Sequence, residues 1–161
     1  MMKTIIILIA MATALSCSTA LGQNSGSVGA APNNAASTIR VRYIVNDVEA
    51  AVAFYTNNLD FHVIAESGRN FAMLARNNLQ LVLSPPHGPG GASQPMPDGQ
   101  RPEPGGWNRI ILPSSDLEKD VETLKKTGVH FRNDIVTGPG GREILLEDPS
   151  GNPIELFQPT S

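Results

Sequence analysis

Arg40-Val-Arg-Tyr-Ile-Val-Asn-Asp47-Val48-Glu49 and Arg109-Ile-Ile-Leu-Pro-Ser-Ser-Asp116-Leu117-Glu118 are two copies of one pattern, set 69 residues apart. The same offset carries Arg40 onto Arg109, Val41 onto Ile110 and Val52 onto Val121. Each copy runs from a β-type stretch through a polar cap into helical spacing. Val48, Ala51, Val52, Tyr55 and Leu59 recur at helical intervals, and Leu117, Val121 and Leu124 repeat the arrangement. Ser115-x-x-Glu118 has the form of a capping box, and Gly128 stands where the second helix would end. A repeat of this kind decides the architecture before any single element does, because the chain then builds one unit twice.

Working outward, short strand candidates follow each helix. They lie at 61–66, 71–76 and Leu79–Ser84 in the first copy, and at 130–132, 143–147 and 153–158 in the second. Gly138-Pro-Gly-Gly141 and Asp148-Pro-Ser-Gly-Asn-Pro153 are dense turn signals between the later runs. The expected class is α+β, with two tandem β-α-β-β-β modules at 38–84 and 107–158 forming one domain over 38–158. Between the modules lies 85–106, rich in Pro and Gly and without apolar periodicity. It exceeds the usual loop length, so it is either a linker or a lid.

Upstream of the repeat, Lys3 precedes an apolar run and an Ala20-Leu21-Gly22 ending, the layout of a secretory signal peptide over residues 1–22. The run is too short for a membrane-spanning helix. Cys17 offers a lipid anchor as a variant of export to the periplasm or beyond. Residues 23–37 have linker composition. Removing 1–22 takes away Lys3 and no acid, moving the net charge from −3 to −4, and it removes the single cysteine. A disulfide framework and a thiol nucleophile are thereby excluded. The acidic balance argues against a general nucleic-acid binder. Hydrophobic residues at 40% and charged residues at 17% suit a folded core over a disordered chain.

Strand alternation places candidate functional side chains. Val41, Tyr43 and Val45 oppose Arg40, Arg42 and Ile44. Leu79, Leu81 and Leu83 oppose Gln80, Val82 and Ser84. Ile110 and Leu112 oppose Arg109 and Ile111, and Ile154 and Leu156 oppose Glu155 and Phe157. Every strand thus has an apolar face for a helix, and an opposite face bearing a long polar side chain: Arg40, Gln80, Arg109 or Glu155. Trp107, just before the fifth strand, suits either a ligand wall or core packing. His62, His87 and His130 are not spaced with a carboxylate in a ligand pattern and read as surface residues.

Asn46-Asp47-Val48-Glu49-Ala-Ala-Val-Ala-Phe-Tyr55, followed by Leu59-Asp60-Phe61, resembles the opening of the vicinal oxygen chelate superfamily. Glu147-Asp-Pro-Ser-Gly-Asn-Pro-Ile-Glu-Leu-Phe157 resembles its closing motif. This superfamily includes glyoxalases, extradiol dioxygenases, fosfomycin-type transferases and bleomycin-resistance binding proteins. The resemblance implies paired modules whose curved mixed sheets form a shared cleft, and a homodimer as a common assembly. It also implies metal ligands at four strand positions, which here match Arg40, Gln80, Arg109 and Glu155. Only Gln80 and Glu155 keep ligand-type side chains, because a guanidinium has no lone pair to give a cation.

The expectation is therefore an exported protein that binds a small anionic molecule without a metal or other cofactor. Its ligand-binding candidates are Arg40, Arg42, Gln80, Trp107, Arg109, Glu155 and Phe157. The alternatives are a glyoxalase-like lyase or another metal-dependent enzyme of the superfamily, with Glu155 as the catalytic candidate, and a non-enzymatic protein-interaction module.

Overall fold

In the computed structural model, which describes residues 39–160, the repeat becomes two four-stranded sheets. The signal-like residues 1–22 and the linker at 23–37 lie outside the described residues. The first module is β1 (Arg40–Ile44), α1 (Val48–Asn58), β2 (His62–Glu66), β3 (Ala72–Arg76) and β4 (Leu79–Ser84). The second is β5 (Ile110–Pro113), α2 (Leu117–Lys126), β6 (Val136–Gly138), β7 (Gly141–Glu147) and β8 (Pro153–Pro159). The sheet orders are β1-β4-β3-β2 and β5-β8-β7-β6, so the modules share one topology. In each, the first strand pairs parallel with the last while the other pairings are antiparallel. A parallel pair needs a crossover connection, and the helix begins it. The α+β class and its two β-α-β-β-β modules are as the repeat predicts.

Both helices start at an aspartate. Asp47 caps α1 by accepting from the Ala50 N–H, and Asp116 caps α2 by accepting from the Lys119 N–H. Each carboxylate satisfies one of the N–H groups that a first turn leaves unpaired. The Ser115 capping box is thus corrected by one position. Glu118 turns outward to an ion pair with Arg142 instead of reaching back to the cap. Gly128 does end α2: at φ +80° its N–H bonds Lys125 O while the Val129 N–H bonds Leu124 O. That left-handed turn suits glycine.

The strand expected at 130–132 is a correction too. Phe131 makes one isolated bridge to Leu146, and the regular sixth strand is Val136–Gly138. The Asn133 side chain accepts from the Leu145 N–H, a bond that a regular strand neighbour would make with its backbone. The glycine turn after β6 is a tight hairpin. A Cβ on Gly141 would lie 2.2 Å from Gln158 O, so the close approach of β8 requires glycine there.

Val48, Ala51, Tyr55, Leu117, Val121 and Leu124 bury the helices' apolar stripes, and Tyr43, Leu81, Leu83, Ile110, Leu112, Ile154 and Leu156 bury one face of the strands. Residues of both modules join in one core cluster. The opposite strand faces are where the candidate polar side chains stand.

Candidate functional site

On the first sheet, Arg40 and Gln80 are direct partners across the parallel β1–β4 pair, so their side chains leave on the same side. Arg40 Nε donates to Gln80 Oε1 at 2.7 Å. Two residues on, the exposed Arg42 donates through Nη1 to Ser84 Oγ, and Ser84 itself is buried. Both guanidiniums therefore meet neutral partners.

The second sheet handles its cation differently. Glu155 stands opposite Ile111, not Arg109, so the arginine just before β5 reaches across two residues of stagger. Arg109 Nε donates to Glu155 Oε2 at 2.6 Å. Alternation places Glu155 on a half-open face, yet only 4% of it is exposed. A buried carboxylate needs a charged or hydrogen-bonding partner, and Arg109 is the one it has. Phe157 follows on the same face, half-buried opposite Pro113 and Glu143.

Among the described residues, no hydrogen bond or ion pair joins the Arg40–Gln80 pair to the Arg109–Glu155 pair. Trp107 is not in the core. It is 76% exposed, with the Arg132 guanidinium 5.6 Å from its ring centroid. Arg132 in turn donates to Glu147 at 2.6 Å, and Glu147 also meets His130 at 3.0 Å. The sequence spacing of His130 gave no sign of this carboxylate, because the contact crosses from the irregular segment to β7. His62 and His87 are exposed.

The closing motif has a structural role that its spacing alone does not show. Asp148 is buried, and its Oδ1 accepts from the N–H groups of Ser150 and Asn152 while its Oδ2 accepts from Tyr55 OH and Asn152 Nδ2. Asn152 also donates to Ile44 O at the end of β1 and accepts from the Gly105 N–H. Tyr43 OH donates to Pro153 O and accepts from the Ile110 N–H. This network ties the two modules together. Burial pushes both phenols above their ordinary value, Tyr55 well above it, and the nearby Asp148 carboxylate adds to the effect on each. At Tyr43 the Ile110 N–H and the Arg109 charge pull the other way.

The four positions do not fit a divalent metal. Arg40 and Arg109 offer no lone pair, and Gln80 Oε1 and Glu155 Oε2 already accept from them. Among the described residues, no group of three or more His, Cys, Asp or Glu is placed to hold a metal ion, and no helix is long and apolar enough to cross a membrane.

Comparison with known proteins places this geometry. The profile of the Glyoxalase/Bleomycin resistance protein/Dioxygenase superfamily matches residues 38–156. The uncharacterized protein YwkD of Bacillus subtilis is 29% identical over 121 residues, which cover 73% of this chain and 93% of that one. The solved structure of TnmS3, an antibiotic binding protein from Streptomyces sp. CB03234, is 28% identical with a TM-score of 0.59, covering 75% of this chain and 93% of that chain. A superfamily member from Sphaerobacter thermophilus is also 28% identical, with a TM-score of 0.58 and coverage of 74% and 94%. The motifs at both ends, the duplicated topology and these matches agree: the chain belongs to the glyoxalase/bleomycin resistance protein/dioxygenase superfamily.

Proposed function

We propose that this protein binds a small anionic, carboxylate-bearing molecule on the β1–β4 face and does so without a divalent metal. The observation that carries the reading is the charge left uncompensated there. Arg40 and Arg42 share a strand face and are met only by an amide and a hydroxyl, within a chain of net charge −3. On the second sheet Glu155 cancels Arg109. Guanidinium forks suit carboxylates through paired, charge-assisted hydrogen bonds. The likeness to an antibiotic binding protein supports binding as the activity.

A thermal-shift comparison of benzoate with its neutral counterpart benzamide, run with and without a strong chelator, tests this. Benzoate should raise the melting temperature, and benzamide should not. A ligand at a hundredfold excess over its Kd adds about 2.7 kcal/mol to the native state. The chelator should change nothing. Equal stabilisation by benzamide, or stabilisation that appears only with added divalent ion, would overturn the proposal.

A further inference from the structure

Arg42 opens onto a cavity of about 300 Å³. Its floor is Arg42 and Ser84 on the β1–β4 face. One wall is Ser67, Asn70 and Phe71 from the β2–β3 connection, and the other is the 89–93 stretch of the long inter-module segment. That stretch folds into a single 3₁₀ turn, Gly91–Ser93, and the buried Ser93 donates its hydroxyl to Pro85 O. The wall is therefore pinned back to the point where the segment leaves β4.

The lining contains one cation and no acid. Arg42 differs in this from the other candidate guanidiniums. Arg109 is neutralised by Glu155, and Arg40, though its charge is uncompensated, does not line the cavity. Arg42 uses Nη1 on a neutral hydroxyl, and among the described residues its Nε and Nη2 have no hydrogen-bond partner. Ser84 accepts from Arg42 and keeps its own proton to donate. Ser67 and Asn70 add further side-chain donors to the same space. A positive fork with hydroxyl and amide donors around it, walled partly away from bulk water, is complementary to an oxyanion. Hydrogen bonds between a charged donor and such a group are the stronger, shorter kind.

We infer that this cavity is an oxyanion subsite in which Arg42 anchors the carboxylate or phosphate-type group of the ligand. The inference rests on the binding reading above and narrows it to one side chain and one wall. It also gives the 85–106 segment a part in binding as well as in joining the modules.

The test is calorimetric titration of the full chain with sodium phosphate and, separately, sodium acetate, at matched ionic strength in chloride. At least one of the two should bind one-to-one, and the stronger tells which oxyanion geometry the cavity prefers. Arg42→Gln should weaken that binding about tenfold or more, the scale of a charge-assisted hydrogen bond. Arg42→Lys should recover part of it, since the charge returns without the fork. Lys126→Gln, which removes one positive charge from α2, should leave affinity within about twofold because distant surface charges are screened. Binding that survives Arg42→Gln, or falls equally with Lys126→Gln, overturns the subsite. If benzoate stabilises the protein and Arg42→Gln does not change that, the subsite fails while the anion-binding reading stands. If no anion binds, both fail.

Discussion

Arg109 and Glu155 show how one ion pair can decide what a residue is available to do. Glu155 is 4% exposed, so its charge is tolerable only while Arg109 stays bonded to it. Truncating one partner of a buried pair costs about 3–5 kcal/mol, chiefly through the charge left behind. The Arg109 side chain is 32% exposed, and solvent screening lowers the expected cost of Arg109→Ala to about 2–3 kcal/mol. Adding Glu155→Gln removes the orphaned charge, so the double variant should unfold later in urea than Arg109→Ala alone. A loss of less than about 0.5 kcal/mol for Arg109→Ala would mean that the pair behaves as a surface bridge. The sequence made Arg109 and Glu155 legible as same-face neighbours, because alternation is local. It did not show that one neutralises the other, because burial of Glu155 depends on what packs around β8.

At the scale of elements, caps and turns separate what local chemistry specifies from what it merely permits. Ser115 and Asp116 are both good N-cap residues, and only Ser115 has a Glu three residues on to complete a capping box. Asp116 takes the role because its carboxylate meets the Lys119 N–H, while Gln158 from β8 accepts the Leu117 N–H. A strand from elsewhere in the module thus helps set the helix start. Asp116→Ala should cost about 1 kcal/mol in thermal or urea unfolding, and Ser115→Ala should stay within about 0.5 kcal/mol. The opposite order would restore the capping box. The displaced sixth strand has the same origin. His130–Arg132 does bond to β7 through its backbone, Arg132 N–H to Leu145 O and Glu147 N–H to His130 O, but the Asn133 side chain takes the Leu145 N–H, and regular pairing begins only at Val136.

For the whole molecule, the two tyrosines in the chain, Tyr43 and Tyr55, are both buried at the join between modules. Their phenols are held above the ordinary value of 10.0, mainly by desolvation. Below that pH both native and unfolded states keep the protons, and the groups contribute their full stabilisation. Above it the unfolded chain sheds protons that the native state retains, so stability falls as pH rises through the native values. Tyrosinate absorbance should therefore stay flat on alkaline titration until the protein unfolds, and then both phenols should titrate together with loss of circular dichroism. Stepwise titration of a tyrosine in still-folded protein would show that the join opens locally. Asp148 and Asn152 brace the same join through β1, α1 and the end of the long segment, so its loosening should affect both modules.

Local chemistry determined the duplication, the helices and the side of each strand on which Arg40, Arg42, Gln80, Arg109 and Glu155 stand. Repeat offset, helical spacing and two-residue alternation are properties of neighbouring residues, and the opening and closing motifs carried the superfamily. Only the tertiary structure decided which of those side chains keep an uncompensated charge. It paired Arg109 with a buried Glu155, laid Arg40 against Gln80, left Trp107 outside the core and walled Arg42 with residues from two distant segments. Partner choice, burial and enclosure depend on contacts between residues tens of positions apart, and no local period encodes them.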